Sequence, residues 1–194
     1  VVSRSLNKLC SVNCLAVTNA FISHIESYNS LIELVCQASE FFNDFAWDVI
    51  TFQILNKLNS NRMAIQSDGL NYSPWFANLS QFIGNLGKSY PESFQLFPIL
   101  LNIVKSLTQG DTNILSVVKE LLDSMTGIKS IANLTTKQIM RMNAETSLKK
   151  FAYMGIQDNR ENCVKSCLKL LETLMHDKLF AELFVLLCRL PTSL

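Results

Sequence analysis

Apolar residues recur at intervals of three and four along almost the whole chain, and that period constrains its fold more than any other feature. The clearest run is Ile114, Val117, Val118, Leu121, Leu122 and Met125, whose steps of three and one put all of them on one side of a helix. Asp111 and Thr112 stand before it as cap residues, suited to accept hydrogen bonds from the orphan amides of a first turn. Gly127 follows as a left-handed stop. A second stripe, Val164, Cys167, Leu168, Leu171, Leu174 and Met175, faces Lys165, Lys169 and Glu172 away from the core. Strand signals are scarce, because no Asn-Gly or Asp-Gly turn separates two alternating runs.

Local punctuation divides the rest of the chain. Leu6 to about Tyr28 predicts one or two helices and Leu31 to Phe42 another. Asn43-Asp44 caps a helix from Phe45 to about Leu58, and Asn59 to Tyr72, with Asp68-Gly69, is the one extended loop. Ser73-Pro74 opens a helix, serine as cap and proline at the first helical position, which Gly87 stops. Tyr90-Pro91 opens the next; Pro98 is expected to kink or split it, and its second half, Ile99 to Leu107, ends at Gly110. Thr135 to Gln138 reads as a capping box for a short helix reaching Met142. Asp177 caps a last helix, Leu179 to Leu190, before Pro191. The sum is an all-α chain of about eight to ten antiparallel helices, a bundle or a HEAT-like α-solenoid. No strict sequence repeat is present.

Composition narrows the function classes. Hydrophobic residues are 48% of the chain, enough to fold, whereas charged residues are only 17%, which suggests apolar surface covered by something outside this sequence. A net charge of +1 gives no overall pull toward nucleic acid or acidic membranes. No apolar run reaches the roughly 18 residues of a membrane span. Val1-Val2-Ser3-Arg4 lacks the pattern of a signal peptide and a starting methionine, so the chain reads as an intracellular fragment. The sequons at Asn71, Asn78 and Asn133 are what an Asn- and Ser-rich chain carries by chance.

Candidate chemistry is thin. Cys10 with Cys14, and Cys163 with Cys167, form helical i, i+4 pairs, with His24 and His176 available, but the usual C-x2-C zinc knuckle is missing. Reduced, buried packing thiols are the better reading. Cys163, near a helix start between Arg160 and Lys165, is the best nucleophile candidate, yet no histidine accompanies it. Gly84 to Ser89 looks like the end of a phosphate loop, but Phe82 stands where the first glycine belongs and the segment closes a helix instead of opening one. Glu120 and Asp123 face solvent without a partner histidine. Lys129, Lys137, Arg141, Lys149, Lys150, Arg160, Lys165 and Lys169 form the one local basic excess, interleaved with Phe151 and Tyr153. A solvated face or a contact to an acidic protein is the favoured reading of it. The alternative is a helical RNA-binding module over residues 129–169.

From about Trp47 to Cys188 the residues resemble one family. Ser73-Pro74-Trp75-Phe76-Ala77-Asn78-Leu79-Ser80-Gln81-Phe82-Ile83-Gly84, then Lys88-Ser89-Tyr90-Pro91, resembles a segment of the large second subunit of the THO complex. Val117 to Leu122 with Met125-Thr126-Gly127-Ile128, Leu134 to Ile139, Arg160, and Leu168 to Leu183 follow in the same order and spacing. Asn143-Ala144 replaces the family's paired glycines. Residues 1–42 do not align, and are expected to be a helical segment from an upstream part of the parent chain, with 43–194 a helical-repeat middle domain. The resemblance implies an α-solenoid scaffold of the nuclear THO/TREX assembly, which couples transcription to mRNA packaging and export. It implies other THO subunits and a DEAD-box RNA helicase/ATPase as partners, with mRNA a further candidate. It implies no catalytic group, and the residues themselves suggest no metal or cofactor. The loop-rich stretch Asn143 to Arg160 is the expected contact edge, with Lys149, Lys150, Tyr153, Asp158 and Arg160 as its partner-binding residues.

Overall fold

Three helix starts, at Leu31, Asp44 and Pro74, follow a serine or an asparagine. The computed structural model describes residues 2–127 and 160–190. In α1 (Val2–Ser27) the helix breaks at Asn13, φ −149° and ψ 81°, whose side chain accepts the Ala16 amide at 3.1 Å. One asparagine thus ends one helical stretch and caps the next. α2 (Leu31–Ala38) runs into a 3-10 turn at Ser39–Phe41. α3 (Asp44–Leu58) begins at Asn43, which accepts the Ala46 amide at 2.9 Å. The loop after it carries one isolated antiparallel bridge, Ile65 to Tyr72, and no strand forms among the described residues.

α4 (Pro74–Ser89) starts where expected, but the Ser73 hydroxyl donates to the Met63 carbonyl at 3.0 Å instead of capping the helix. Nor does α4 stop at Gly87. Both Gly84 and Gly87 lie inside it, buried, where the missing side chains let α6 approach. The segment that resembled the end of a phosphate loop is therefore helix interior, with no free amides to offer an anion.

α5 spans Leu96–Thr108, so Pro98 sits in its first turn. Amides there have no intrahelical acceptor anyway, and proline neither kinks nor splits the helix. The helix closes with Gly110, φ 87°, while the Gly110 and Asp111 amides reach the carbonyls of Leu107 and Ser106 at 3.0 Å each. That is the paired bonding of a Schellman cap. Asp111 accepts the Asn113 amide at 3.0 Å and opens a 3-10 turn, Thr112–Ile114, that leads into α6 (Leu115–Thr126). Gly127, φ 74°, ends α6 in the left-handed conformation its sequence position predicts.

A 3-10 turn, Arg160–Cys163, leads to α7 (Val164–Met175), and another, His176–Lys178, leads to α8 (Leu179–Cys188). Lys178, at φ 60°, and not Asp177, stands directly before α8. The helices stack by neighbours. α1 packs on α2, α3 and α4, α4 on α6, α6 on α7, and α5 on both α3 and α8. One apolar cluster runs through them all, with Ile22, Ile50, Phe82, Ile99 and Leu121 wholly or almost wholly buried. Each such side chain contributes roughly 1.5–3 kcal/mol.

The α6 stripe is borne out at Ile114, Val117, Val118, Leu121 and Met125, while Leu122 is 44% exposed. The α7 stripe is borne out at Leu174, which packs on the core, and Cys167 is half-buried. Val164, Leu168, Leu171 and Met175 are exposed instead, and the buried positions are Cys163, Ser166 and Leu170. The Ser166 hydroxyl decides the rotation: it lies 2.8 Å from the Met125 carbonyl and 3.0 Å from that of Cys163, pinning this side of α7 to the end of α6.

Candidate interaction surfaces

The polar residues of the described chain are spent largely on joining elements. Glu26, at the end of α1, is buried and accepts from the Arg62 guanidinium at 2.9 Å, with the Lys57 ammonium at 3.8 Å. The same guanidinium lies 4.2 Å above the Trp75 ring, whose indole N–H donates to the Met63 carbonyl at 3.0 Å. Asn78 on α4 donates to the Ile25 carbonyl at 3.1 Å, satisfying an orphan acceptor at the end of α1. The 59–73 loop is thus tied to α1, α3 and α4 at one knot. Asp68, held below its ordinary range by the Asn71 and Leu70 amides, turns the loop tip with Gly69 at φ 70°.

Cys10, Cys14, Cys36 and Cys163 are buried packing groups, whereas Cys167 is half-buried and Cys188 exposed. Burial pushes Cys10 up to about 11, with Cys14 beside it adding to the shift, and pushes Cys36 up to about 12, with Glu33 adding to it. Burial also raises Cys14. Such groups stay protonated at neutral pH, and the thiolate is the form that attacks or ligates. Cys163 is buried, with its Sγ donating to the Ser124 carbonyl at 3.6 Å. Among the described residues no three His, Cys, Asp or Glu side chains gather as a metal set, and no helix is long and apolar enough to cross a membrane.

Of the expected partner-binding residues, Lys149, Lys150, Tyr153 and Asp158 lie outside the described residues, and Arg160 stands at their edge, opening the turn before α7. Lys129, Lys137 and Arg141 lie outside as well. At the near end of the basic stretch Lys165 is exposed, whereas Lys169 donates to Glu92 at 3.2 Å.

The low charge content pointed to apolar surface covered by something else, but not to the faces that carry it. Val164, Leu168, Leu171 and Met175 form a ridge along α7, and Phe180, Phe184 and Val185 are exposed on α8, where Phe180 and Phe184 line an apolar cleft with Leu170 and Leu174. α8 has a single charge, Glu182, in ten residues, a composition normally reserved for helices buried all round. A second set lies at the other end of the stack, with Leu9, Val12 and Leu15 on α1, Leu34 on α2, and Phe45 and Phe52 on α3. The readable signal was α8's lack of charge; nothing local to α7 marks which of its sides faces out.

Fold and surface together define an all-helical protein built on helix-to-helix packing. The family model described as Transcription- and export-related complex subunit matches residues 6–80, a span that includes most of residues 1–42, which the motif resemblance left unaligned. THO complex subunit 2 of Saccharomyces cerevisiae is 37% identical over 160 residues, 82% of this chain and 10% of that protein. THO complex subunit 2 of Arabidopsis thaliana is 28% identical over 174 residues (89% and 10%), and that of Homo sapiens 26% over 187 residues (96% and 12%). The chain belongs to the THO complex subunit 2 family. It spans about a tenth of the length of the curated relatives it matches, 10% of the yeast protein.

Proposed function

We propose that this chain is a non-catalytic scaffold segment of the nuclear THO/TREX assembly, coupling transcription to mRNA packaging and export. It works as a stretch of α-solenoid that binds other THO subunits and positions a DEAD-box ATPase. The observation that carries this reading is the apolar surface at both ends of the stack, on α1 to α3 and on α7 and α8, in a family member covering a tenth of the relatives' length. Repeat arrays need polar caps at their ends, and an interior piece lacks them. The neighbour-to-neighbour contacts of α1, α4 and α6, with α3, α5 and α8 alongside, support the same array. In this reading residues 1–42 are an upstream helical segment and 43–194 the helical-repeat middle domain. The edge carrying Lys149, Lys150, Tyr153, Asp158 and Arg160 meets the ATPase.

The action is positional. A scaffold that binds two ATPase lobes in a half-open arrangement shifts their population toward it, easing RNA loading and product release. The test is the steady-state ATPase rate of the nuclear export DEAD-box protein, with RNA, with and without this chain. Stimulation that vanishes in Lys149→Ala/Lys150→Ala supports the reading. An unchanged rate with a folded, helical chain removes ATPase control and leaves a structural role between subunits. Direct RNA binding with a steep loss on adding salt favours the RNA-binding alternative.

A further inference from the structure

A groove of about 450 Å³ opens between α2 and α4. Glu33 and Gln37 line it from α2, Gln81, Asn85 and Lys88 from α4, and Asn29 from the turn before α2. Elsewhere polar side chains tie elements together, as Arg62 and Asn78 do. Among the described residues, none of these six makes a side-chain hydrogen bond or ion pair. The groove's form is nonetheless fixed. Ile32 and Cys36 lie buried at its base, and the Tyr90 hydroxyl bridges the two walls by donating to the Cys36 carbonyl at 2.8 Å.

We infer that this groove binds an extended peptide segment of a partner protein through the peptide's main chain. Side-chain amides both donate and accept, which matches the alternating N–H and C=O of a backbone. Gln81 and Asn85 are one helical step of four residues apart, about 6 Å along the axis. An extended chain repeats the same backbone edge every second residue, about 6.6–6.8 Å, so each amide meets its own peptide unit. Glu33 and Gln37 repeat the step on the facing wall. The charges decide against a nucleic acid: one lysine opposite one glutamate leaves no net cation for a phosphate chain, which is held by several. The same pair sets direction and preference, seating an acidic peptide residue by Lys88 and a basic one by Glu33.

A random short-peptide library displayed on phage, selected on the immobilised chain, tests this without assuming a partner. Synthetic versions of the selected peptides are then titrated by fluorescence anisotropy against the native chain, Gln81→Ala/Asn85→Ala and Gln37→Ala. The expected result is binding weakened about tenfold or more by the double variant and less by Gln37→Ala. Circular dichroism and urea midpoints should be unchanged, since these side chains are at least partly exposed. N-methylation of alternate peptide amides should weaken binding as the double variant does, which a side-chain-only contact would not show. The inference is overturned if no peptide is enriched, if native and variant chains bind the peptides equally, or if oligouridylate displaces them. An ATPase result of either sign leaves it untouched, because the selection contains no ATPase.

Discussion

A Cβ atom placed on Gly84 falls 2.6 Å from the carbonyl oxygen of Glu120, closer than any real Cβ contact. The α4–α6 crossing therefore depends on a hydrogen atom at this position. Gly84→Ala should gain about 1 kcal/mol in helix propensity and lose roughly 1–3 kcal/mol to overpacking against backbone, for a net loss. At Gly87 the nearest atom is the Met125 Sδ at 2.8 Å, on a flexible side chain that can move aside. Gly87→Ala should leave stability near that of the parent. Urea unfolding of both variants checks the contrast, and a Gly84→Ala midpoint at or above the parent's would refute the close approach.

Leu121 and Leu122 are adjacent, but 2% and 44% exposed. Leu121→Ala should cost about 2–5 kcal/mol, through lost transfer energy and the cavity left behind. Leu122→Ala should change stability by about 0.5 kcal/mol or less. Equal losses in denaturant titrations would mean that α6 is rotated, with Leu122 sharing the core side with Leu121.

What the sequence disclosed were interactions closed within a few residues. Asn43, Asp111 and Gly127 act on amides or on a backbone angle beside them, so their roles follow from residue type and place. Gly87 defeats that logic, because a glycine after an apolar run reads as a stop, and only α6 reveals it as a contact. Ser73 similarly has a local use and a distant one, and the Met63 carbonyl wins. On α7 both sides carry apolar residues, so periodicity cannot choose between them, and the choice falls to Ser166 and a carbonyl 41 residues away in sequence. The groove between α2 and α4 was invisible for the same reason, since its amides come together only when the two helices pack. The contact edge from Asn143 to Arg160 was named from its loop-rich composition, and it lies almost wholly outside the described residues.

Arg62→Ala should loosen the 59–73 loop before it affects the core. It removes a 2.9 Å bond to a buried carboxylate and the cover over Trp75. Because Arg62 is itself 43% exposed, water offsets part of that loss, and about 1–2 kcal/mol is expected. Limited proteolysis should show faster cleavage between Asn59 and Ser73 than in the parent. Unchanged cleavage would mean that Trp75 and Asn78 hold the loop without this arginine.

The Cys36 thiol, pushed up to about 12 by burial and by Glu33, links stability to alkaline pH. In the unfolded chain the thiol gives up its proton in the ordinary range, while the folded chain keeps it, so the folded state binds more protons between the two. Its contribution is complete below the unfolded pKa and is lost as pH rises through the folded one. Melting temperature should therefore fall from the ordinary thiol range upward to about 12, with a shallower fall in Cys36→Ala. Alkylation followed by mass spectrometry should label exposed Cys188 well before Cys36 or Cys10. Simultaneous labelling in the folded chain would contradict the burial that raises these thiols.

Leu168 and Leu171, 54% and 51% exposed on the α7 ridge, separate fold from assembly. If neighbouring helices of a longer array cover this ridge, its cost appears only when they are present, because the isolated chain already exposes both side chains to water. Leu168→Asp/Leu171→Asp in this chain should change the unfolding free energy, read from urea titration, by no more than about 0.5 kcal/mol per site. Placed in a whole THO complex subunit 2, the same pair would bury two carboxylates against apolar partners, which is strongly unfavourable without counter-charges. That subunit should then become protease-sensitive near α7 and co-purify poorly with the other THO subunits. Normal assembly and resistance would show that the ridge faces solvent in the complete protein, and would withdraw the main support for reading this chain as the interior of an array.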